Sequence, residues 1–115
     1  MYAQVLHECK PIGKRPLVLT ELETPLAAND EGLIKVQACG ICRTDLHVVE
    51  GELDPKRYHF PIIPGHQVVG TVVSDSNATL LKKGQRVGVP WLHSSCGSCR
   101  FFLAGRENLC DHPEF

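Results

Sequence analysis

Two short motifs near the middle of the chain determine how the sequence is interpreted. They are Cys39-Gly40-Ile41-Cys42-Arg43-Thr44-Asp45-Leu46-His47 and, further along, Pro64-Gly65-His66-Gln67. Together they place two thiols, a hydroxyl, a carboxylate and two imidazoles beside glycine-marked turns. Thiolate and imidazole are the ligands that a borderline-soft metal such as zinc selects. The motifs therefore predict a metal site, and the hydroxyl and imidazole that follow Cys42 favour a catalytic one.

Around these motifs, glycines and prolines separate short apolar stretches rich in β-branched residues. These stretches predict strands over 2–8, 17–23, 33–38, 67–73 and 85–89. One short helix is predicted after Arg43, with Thr44 or Asp45 as its N-cap, continuing through Val49 and ending at Gly51. Many short strands joined by turns predict a mainly β fold with short helices, arranged as a barrel or a sandwich.

The segment between the two motifs favours irregular structure. Prolines at positions 55, 61 and 64 predict a loop over residues 54–64. Within it, the charged stretch over residues 54–58 is expected to be exposed to solvent.

Composition limits the class of protein. A chain of 115 residues, 43% hydrophobic and 22% charged, is expected to form one soluble globular domain. A net charge of −1 without a basic block argues against nucleic acid or an anionic membrane as partner. We see no signal peptide and no run long enough to span a membrane. Six cysteines in such a chain favour metal binding or redox chemistry in a reducing compartment, and we expect the cytoplasm.

The residue types of the first site suggest how an ion would be held. Cys42 as thiolate and His66 as neutral imidazole would bind the ion, and Asp45 would accept the other ring N–H of His66 and fix its tautomer. Two simpler interpretations remain for single residues. His66 is also consistent with a hydrogen-bonded core histidine, and Thr44 with Asp45 is consistent with a helix cap.

Taken together, the motifs resemble the zinc-dependent alcohol dehydrogenases of the medium-chain dehydrogenase/reductase superfamily, specifically their N-terminal GroES-like catalytic domain. Cys-x-x-Cys-Arg-Thr-Asp-x-His is followed by Gly-His-x-x-x-Gly at Gly65, His66 and Gly70. The resemblance implies a GroES-like, partly open β-barrel over residues 1–115, incomplete, with the Rossmann domain absent from this chain. It also implies zinc, NAD or NADP, a small alcohol or aldehyde substrate and, at full length, a homo-oligomer.

The resemblance assigns ligands to the catalytic zinc. Cys42 is the first ligand and His66 the second, whereas Cys39 is not a ligand and a third ligand is expected beyond Phe115. Alcohol dehydrogenase is a known example of a zinc held by two cysteines and one histidine with one position open. Relatives commonly carry Glu where this chain has Gln67. The neutral amide removes a negative charge beside the metal, which is expected to make the site more electrophilic and to weaken metal binding.

Further roles follow from the same resemblance. The proton relay would run from the zinc-bound alcohol through the hydroxyl of Thr44 and the cofactor ribose to His47 and solvent, so that His47 also contacts the cofactor. Arg43 would contact the cofactor pyrophosphate. Trp91 and Leu92 resemble residues that line the substrate cleft, although a core aromatic with a satisfied indole N–H is an equal alternative for Trp91.

A second cysteine cluster resembles the structural-zinc lobe of the same family. It consists of Cys96, Cys99 and Cys110, whereas the family's lobe normally carries four cysteines and this chain has Phe102 at the remaining position. Because a structural zinc requires a closed tetrahedron, we expect no stable zinc at this degenerate site.

Three states of this lobe are open at the level of sequence. Without metal, it would be held by the apolar side chains of Phe101, Phe102 and Leu103. With zinc, it would need a substitute fourth ligand, for which the candidates are His93, Asp111 and His112. Under oxidation, Cys96 and Cys99 would pair as a disulfide.

Three classes of function compete. The first is the catalytic-domain portion of a zinc-dependent oxidoreductase that moves hydride between an alcohol and NAD(P), giving an aldehyde or ketone. The alternative is a non-catalytic zinc-binding GroES-like β module. A thiol redox protein using Cys39 and Cys42 is the weakest, because that motif is expected near a βαβ pattern, which is absent here.

We predict that the isolated 115-residue chain is inactive. No phosphate-cradling Gly-x-Gly-x-x-Gly motif occurs between residues 1 and 115, and only two of the three expected zinc ligands are present. The assay is alcohol-dependent reduction of NAD or NADP, followed by nicotinamide absorbance. Reduction above the protein-free rate would contradict the prediction.

Overall fold

The computed structural model describes residues 1–28, 31–54, 58–74 and 81–115. Its strands are β1 (Tyr2–Leu6), β2 (Leu17–Glu21), β3 (Ile34–Gly40), β4 (Gln67–Val72) and β5 (Arg86–Val89). The two α-helices are α1 (Arg43–Glu50) and α2 (Arg100–Leu103), and single 3₁₀ turns occur at Ile12–Lys14 and Glu107–Leu109.

The described strands form two antiparallel sheets. β1 pairs with β2 in a two-stranded sheet, and β3, β4 and β5 form a three-stranded sheet in that order. Across the described ranges, these sheets do not close into a barrel. The mainly β class with short helices is therefore confirmed, in an open arrangement.

All five predicted strands are confirmed, with ends that differ by one or two residues. β3 continues two residues past the predicted end at Ala38, because Cys39 and Gly40 still pair with the start of β4. β1 and β2 each stop two residues before their predicted ends. Within the predicted loop, residues 55–57 lie outside the described part of the chain.

Helix α1 begins differently from the prediction. Its N-cap is Cys42 rather than Thr44 or Asp45, and the Cys42 sulfur accepts the backbone N–H of Thr44 at 3.3 Å. In the reciprocal hydrogen bond, Oδ2 of Asp45 accepts the backbone N–H of Cys42 at 2.7 Å. This is a capping box with sulfur in place of the usual hydroxyl oxygen. The predicted end is confirmed, since Gly51 closes the helix with a left-handed φ of 76°.

The buried core is small and joins β1 to the segment before β4. Leu6 is 0% exposed and Val72 is 1% exposed, and both are surrounded by packed chain. Leu6 and Ile62 exchange two backbone hydrogen bonds of 2.8 and 2.9 Å, so the end of β1 is fixed against the chain that leads into the second motif. Gly70 in β4 permits a close approach, because a Cβ there would lie 2.5 Å from the carbonyl oxygen of Lys35.

An open apolar groove of about 710 Å³ is lined by residues from both sheets. Its wall includes Tyr2 from β1, Ile34 and Val36 from β3, and Ile63 with Val68 near β4. Among the described residues, no helix has the length and apolar character needed to cross a bilayer.

Replacing Leu6 by Ala tests whether this small core holds the fold. We expect a loss of about 2–5 kcal/mol in the free energy of unfolding, because the substitution removes a fully buried side chain and leaves a cavity. Denaturant unfolding followed by circular dichroism measures it. The matched control is Leu26→Ala, since Leu26 is 94% exposed and should change stability little. Equal effects of the two substitutions would contradict the prediction.

Candidate metal centre

The pairing of β3 with β4 brings the two sequence motifs together. Gly40, the last residue of β3, lies opposite Gln67, the first residue of β4. Cys42 is two residues past the end of β3 and His66 is one residue before β4. Antiparallel register therefore forces these two residues to the same edge of the sheet, although 24 positions separate them in the chain.

At that edge, three polar side chains converge. The Sγ of Cys42 lies 3.2 Å from Nε2 of His66, and the opposite ring nitrogen, Nδ1, lies 3.1 Å from Oδ1 of Asp45. Asp45 is 8% exposed, whereas Cys42 and His66 are half-buried. Since a carboxylate accepts hydrogen bonds, Asp45 is placed to accept the N–H of Nδ1, the tautomer that would leave the lone pair of Nε2 facing the sulfur.

The spacing of this cluster fits a shared metal ion. An ion bonded tetrahedrally to one thiolate and one imidazole would set sulfur and nitrogen about 3.5 Å apart. Cys42 and His66 are 3.2 Å apart, and the ligand atoms of Cys42, Asp45 and His66 all lie within 4.8 Å of one another. The donor set is thus suitable for zinc, and the assignment of Cys42 and His66 as its ligands stays a prediction.

Aromatic rings cover one side of the imidazole. The Trp91 ring lies 5.3 Å from the His66 ring, centroid to centroid, and 5.2 Å from the Phe115 ring on its other side. Trp91 remains 49% exposed, so it forms an accessible wall rather than part of the core. Leu92, its neighbour in the chain, is half-buried.

The side chain of Gln67 lies over the backbone between the two cysteines of the first motif. A Cβ on Gly40 would lie 2.5 Å from Oε1 of Gln67, so glycine at this position makes room for the amide. Cys39 stays outside the cluster of Cys42 and His66. Its sulfur lies 2.8 Å from the place of a Cβ on Gly65, which has a φ of 131° and accommodates this approach only as glycine.

The remaining predicted residues of the first motif lie along α1. Arg43 is its first residue and is exposed, and Thr44 is half-buried beside the Cys42 cap. His47 lies one turn further on, and its Nδ1 is hydrogen-bonded to the carboxylate of Glu52. Glu52 was not among the predicted site residues. The backbone N–H of Glu52 also donates to the carbonyl oxygen of His47 at 2.9 Å. The feature of the sequence that could have indicated this contact is an acidic residue directly after Gly51, the glycine that ends the helix.

The second cysteine cluster forms a separate lobe near the C-terminal end of the described chain. The sulfur atoms of Cys96, Cys99 and Cys110 lie within 4.8 Å of one another, and all three are free thiols. Cys99 caps α2, and Cys110 follows the 3₁₀ turn over Glu107–Leu109. Within the described ranges, no His, Asp or Glu ligand atom joins this cluster, so the structure does not bring in His93, Asp111 or His112. Three thiols therefore do not complete a zinc tetrahedron.

Local hydrogen bonds set the acidity of these thiols. Backbone N–H groups of Ser98 and Cys99 stabilise the thiolate of Cys96 and lower its pKa to about 6. The backbone N–H of Cys96 likewise lowers the pKa of Cys110. Burial and the neighbouring thiols outweigh this effect and raise the pKa of Cys110 above its usual value. At neutral pH, the negative charge of the cluster therefore resides first on Cys96.

Comparison with protein families gives a direct match. Residues 28–115 match the family model described as the alcohol dehydrogenase GroES-like domain. An alcohol dehydrogenase of Geobacillus stearothermophilus is 43% identical over 113 residues, which are 97% of this chain and 32% of that protein. An alcohol dehydrogenase of Rhizobium meliloti (strain 1021) is 46% identical over 111 residues, covering 96% of this chain and 31% of that protein.

Solved structures of dehydrogenases also superpose on this chain. A thermostable alcohol dehydrogenase from Pyrobaculum aerophilum, bound to cobalt and zinc, superposes with a TM-score of 0.78 at 30% identity, over 96% of this chain and 32% of that one. A protein from Sinorhizobium meliloti 1021 solved with NADP gives a TM-score of 0.71 at 32% identity, over 98% and 31%. The chain thus spans about a third of the length of the relatives it matches.

The acidity of Cys96 predicts how the metal-free lobe reacts with an alkylating agent. The alkylation rate of Cys96 should have its pH midpoint near 6, because the thiolate predominates above that pH and is protonated below it. An ordinary cysteine has its midpoint at about 8.5. Iodoacetamide labelling in chelator, quantified by peptide mass spectrometry, measures each site. In the control, Cys96→Ser removes the low-pH component, whereas a midpoint for Cys96 near that of ordinary cysteine would contradict the assignment.

Proposed function

This chain belongs to the family of the alcohol dehydrogenase GroES-like domain, and from that membership we propose that it is the zinc-binding catalytic portion of an oxidoreductase. The reaction moves hydride between a small alcohol and NAD or NADP, with an aldehyde or ketone as product. One observation carries the proposal: the 3.2 Å approach of the Cys42 sulfur to Nε2 of His66. The free state of all six cysteines among the described residues is compatible with a reducing compartment, and we propose the cytoplasm.

In this proposal, Cys42 and His66 are zinc ligands and Asp45 positions the imidazole. When bound, zinc supplies a Lewis acid that stabilises an alkoxide and so makes hydride departure easier. The family's catalytic zinc takes two cysteines and one histidine. Residues 1–115 bring one cysteine and one histidine to the centre, so the set is one ligand short. A carboxylate oxygen of Asp45 lies within 4.8 Å of the ligand atoms of Cys42 and His66, but the two oxygens of Asp45 already contact the backbone N–H of Cys42 and Nδ1 of His66.

Thr44 and His47 are proposed to move the proton that the alcohol releases. They are three residues apart on α1, so both side chains project from the same face of the helix. Thr44 is beside the Cys42 cap, where its hydroxyl would take up the proton while passing its own on by way of the cofactor ribose, and His47 would release a proton to solvent.

Different residues are proposed to contact the cofactor and the substrate. We propose that Arg43, exposed at the start of α1, and His47 contact the dinucleotide, with the NADP of the Sinorhizobium relative as supporting parallel. Trp91 and Leu92 would line the alcohol cleft, since the Trp91 ring lies against His66 and is half exposed. An apolar wall beside the metal excludes water from the developing charge and strengthens its electrostatic stabilisation.

A cobalt-substitution experiment tests the centre. We expect Cys42→Ser to abolish the sulfur-to-cobalt charge-transfer band of this site and to weaken metal binding at least about 100-fold, because it removes the thiolate ligand. Asp45→Asn should weaken it by about 10- to 100-fold, because the amide no longer fixes the His66 tautomer. Difference absorption spectra during cobalt titration, with metal competition, give both quantities.

The matched control is Cys39→Ser, which removes a thiol three residues away that lies outside the cluster. Its spectrum should equal that of the unaltered chain. Gln67→Glu in the same titration should tighten metal binding, because it adds a negative charge near the cation. A Cys42→Ser spectrum identical to that of the unaltered chain would remove the basis of the proposed function.

A further inference from the structure

We infer that the thiols of Cys96, Cys99 and Cys110 form a three-sulfur site for a soft, thiophilic metal ion, and that Phe102 keeps this site from becoming a closed zinc site. The site shares no residue with the cluster of Cys42, Asp45 and His66. It does not depend on the proposed dehydrogenase activity. The site fits a soft ion that three thiolates can coordinate without a fourth ligand, such as Cu(I).

The sulfur atoms are already spaced for a common ion. In a tetrahedral site with metal–sulfur bonds of about 2.3 Å, two sulfurs lie about 3.8 Å apart. The Sγ atoms of Cys99 and Cys110 are 3.9 Å apart, and Cys96 completes the triangle within 4.8 Å. This separation is far too long for a disulfide, which needs about 2.0 Å between sulfurs. The arrangement is that of metal ligands.

Backbone N–H groups point at each of the three sulfurs. Cys99 N–H donates to the Cys96 sulfur at 3.3 Å, and Phe102 N–H donates to the Cys99 sulfur at 3.4 Å. The Cys110 sulfur accepts from the N–H groups of Cys96 at 3.3 Å and His112 at 3.4 Å. Such bonds stabilise anionic sulfur, which is the form that binds a metal.

Backbone contacts within the lobe also restrain the three cysteines. Gly97 adopts a left-handed φ of 76°, which lets the chain turn between the first two cysteines. At the base of the lobe, Ser94 and Glu114 form an antiparallel bridge, and the Ser94 hydroxyl donates to the Glu114 carboxylate at 2.7 Å. The ligands are therefore preorganised, and binding an ion costs little additional ordering.

The missing fourth ligand determines which ion is preferred. A structural zinc is almost always four-coordinate, and the described residues give it only three sulfurs here. The backbone of Phe102 is at the cluster through its N–H bond to Cys99, but its side chain has no donor atom. Zinc would have to keep a solvent ligand at the open corner, whereas a softer ion is satisfied by three thiolates.

Cadmium is the probe, and every variant is built on Cys42→Ser so that the first cluster lacks its sulfur. We expect one tightly bound Cd²⁺ with a sulfur-to-cadmium charge-transfer band and a cadmium NMR resonance in the three-sulfur range. A chelator concentration that removes Zn²⁺ should leave Cd²⁺ bound. Cys99→Ser should abolish the resonance, and Cys9→Ser, outside both clusters, should keep it.

A gain-of-function pair gives the sharper test, because it does not depend on a damaged lobe. Phe102→Cys should move the cadmium resonance to the four-sulfur range and raise Zn²⁺ affinity by on the order of 100-fold, since it supplies the missing charge and closes the tetrahedron. Phe101→Cys, the matched control, adds a thiol one residue away at a ring that contacts the Arg100 guanidinium and should leave Zn²⁺ affinity unchanged.

Two results would overturn the inference. The first is an absence of sulfur-bound Cd²⁺ in the Cys42→Ser chain, which would leave the lobe as a cluster of free thiols. The second is equal Zn²⁺ affinity of the Phe102→Cys and Phe101→Cys chains, which would show that position 102 does not face the ion.

Discussion

The carboxylate of Asp45 is the group on which the arrangement of the centre depends. One of its oxygens accepts the backbone N–H of Cys42 and the other lies against Nδ1 of His66. The same side chain therefore takes part in the cap that begins α1 and contacts both the backbone of Cys42 and the imidazole of His66. Because Asp45 is buried, solvent screens these bonds less than it would at the surface, and the loss of either would leave a buried charge with too few partners.

The pairing of β3 with β4 brings Cys42 and His66 to the carboxylate of Asp45. Pairing of Gly40 with Gln67 ends β3 and begins β4 at the same edge, so Cys42 and His66 emerge side by side. A shift of the register by one residue would turn each side chain to the other face and separate sulfur from nitrogen. Gly70 contributes to this precision, because only a residue without a Cβ fits against the Lys35 carbonyl. Site geometry is thus a consequence of strand register.

The two cysteine clusters differ in chemistry for reasons that follow from their neighbours. The first combines one sulfur, one imidazole and a carboxylate beside an exposed tryptophan ring, an arrangement with room for a further ligand or a substrate. The second has three sulfurs bonded by backbone N–H groups and no oxygen or nitrogen ligand among the described residues. The donor atoms of the first match a borderline-soft metal, and those of the second match a soft ion held by sulfur alone.

Much of this molecule was predictable from the order of its residues. Short β-branched apolar stretches separated by glycines and prolines predicted where the strands lie, and Gly51 predicted where α1 ends, because these are local properties of the backbone. The residue types of Cys42, Asp45 and His66, in motifs that resemble those of zinc-dependent alcohol dehydrogenases, predicted the cluster that the structure brings together. Tertiary structure alone decided that the Cys42 sulfur lies 3.2 Å from Nε2 of His66, that the Trp91 ring lies against His66, and that His93, Asp111 and His112 stay out of the thiol cluster. These are contacts between groups whose distance depends on the path of the whole chain, and side-chain preference at a single position carries no information about that path.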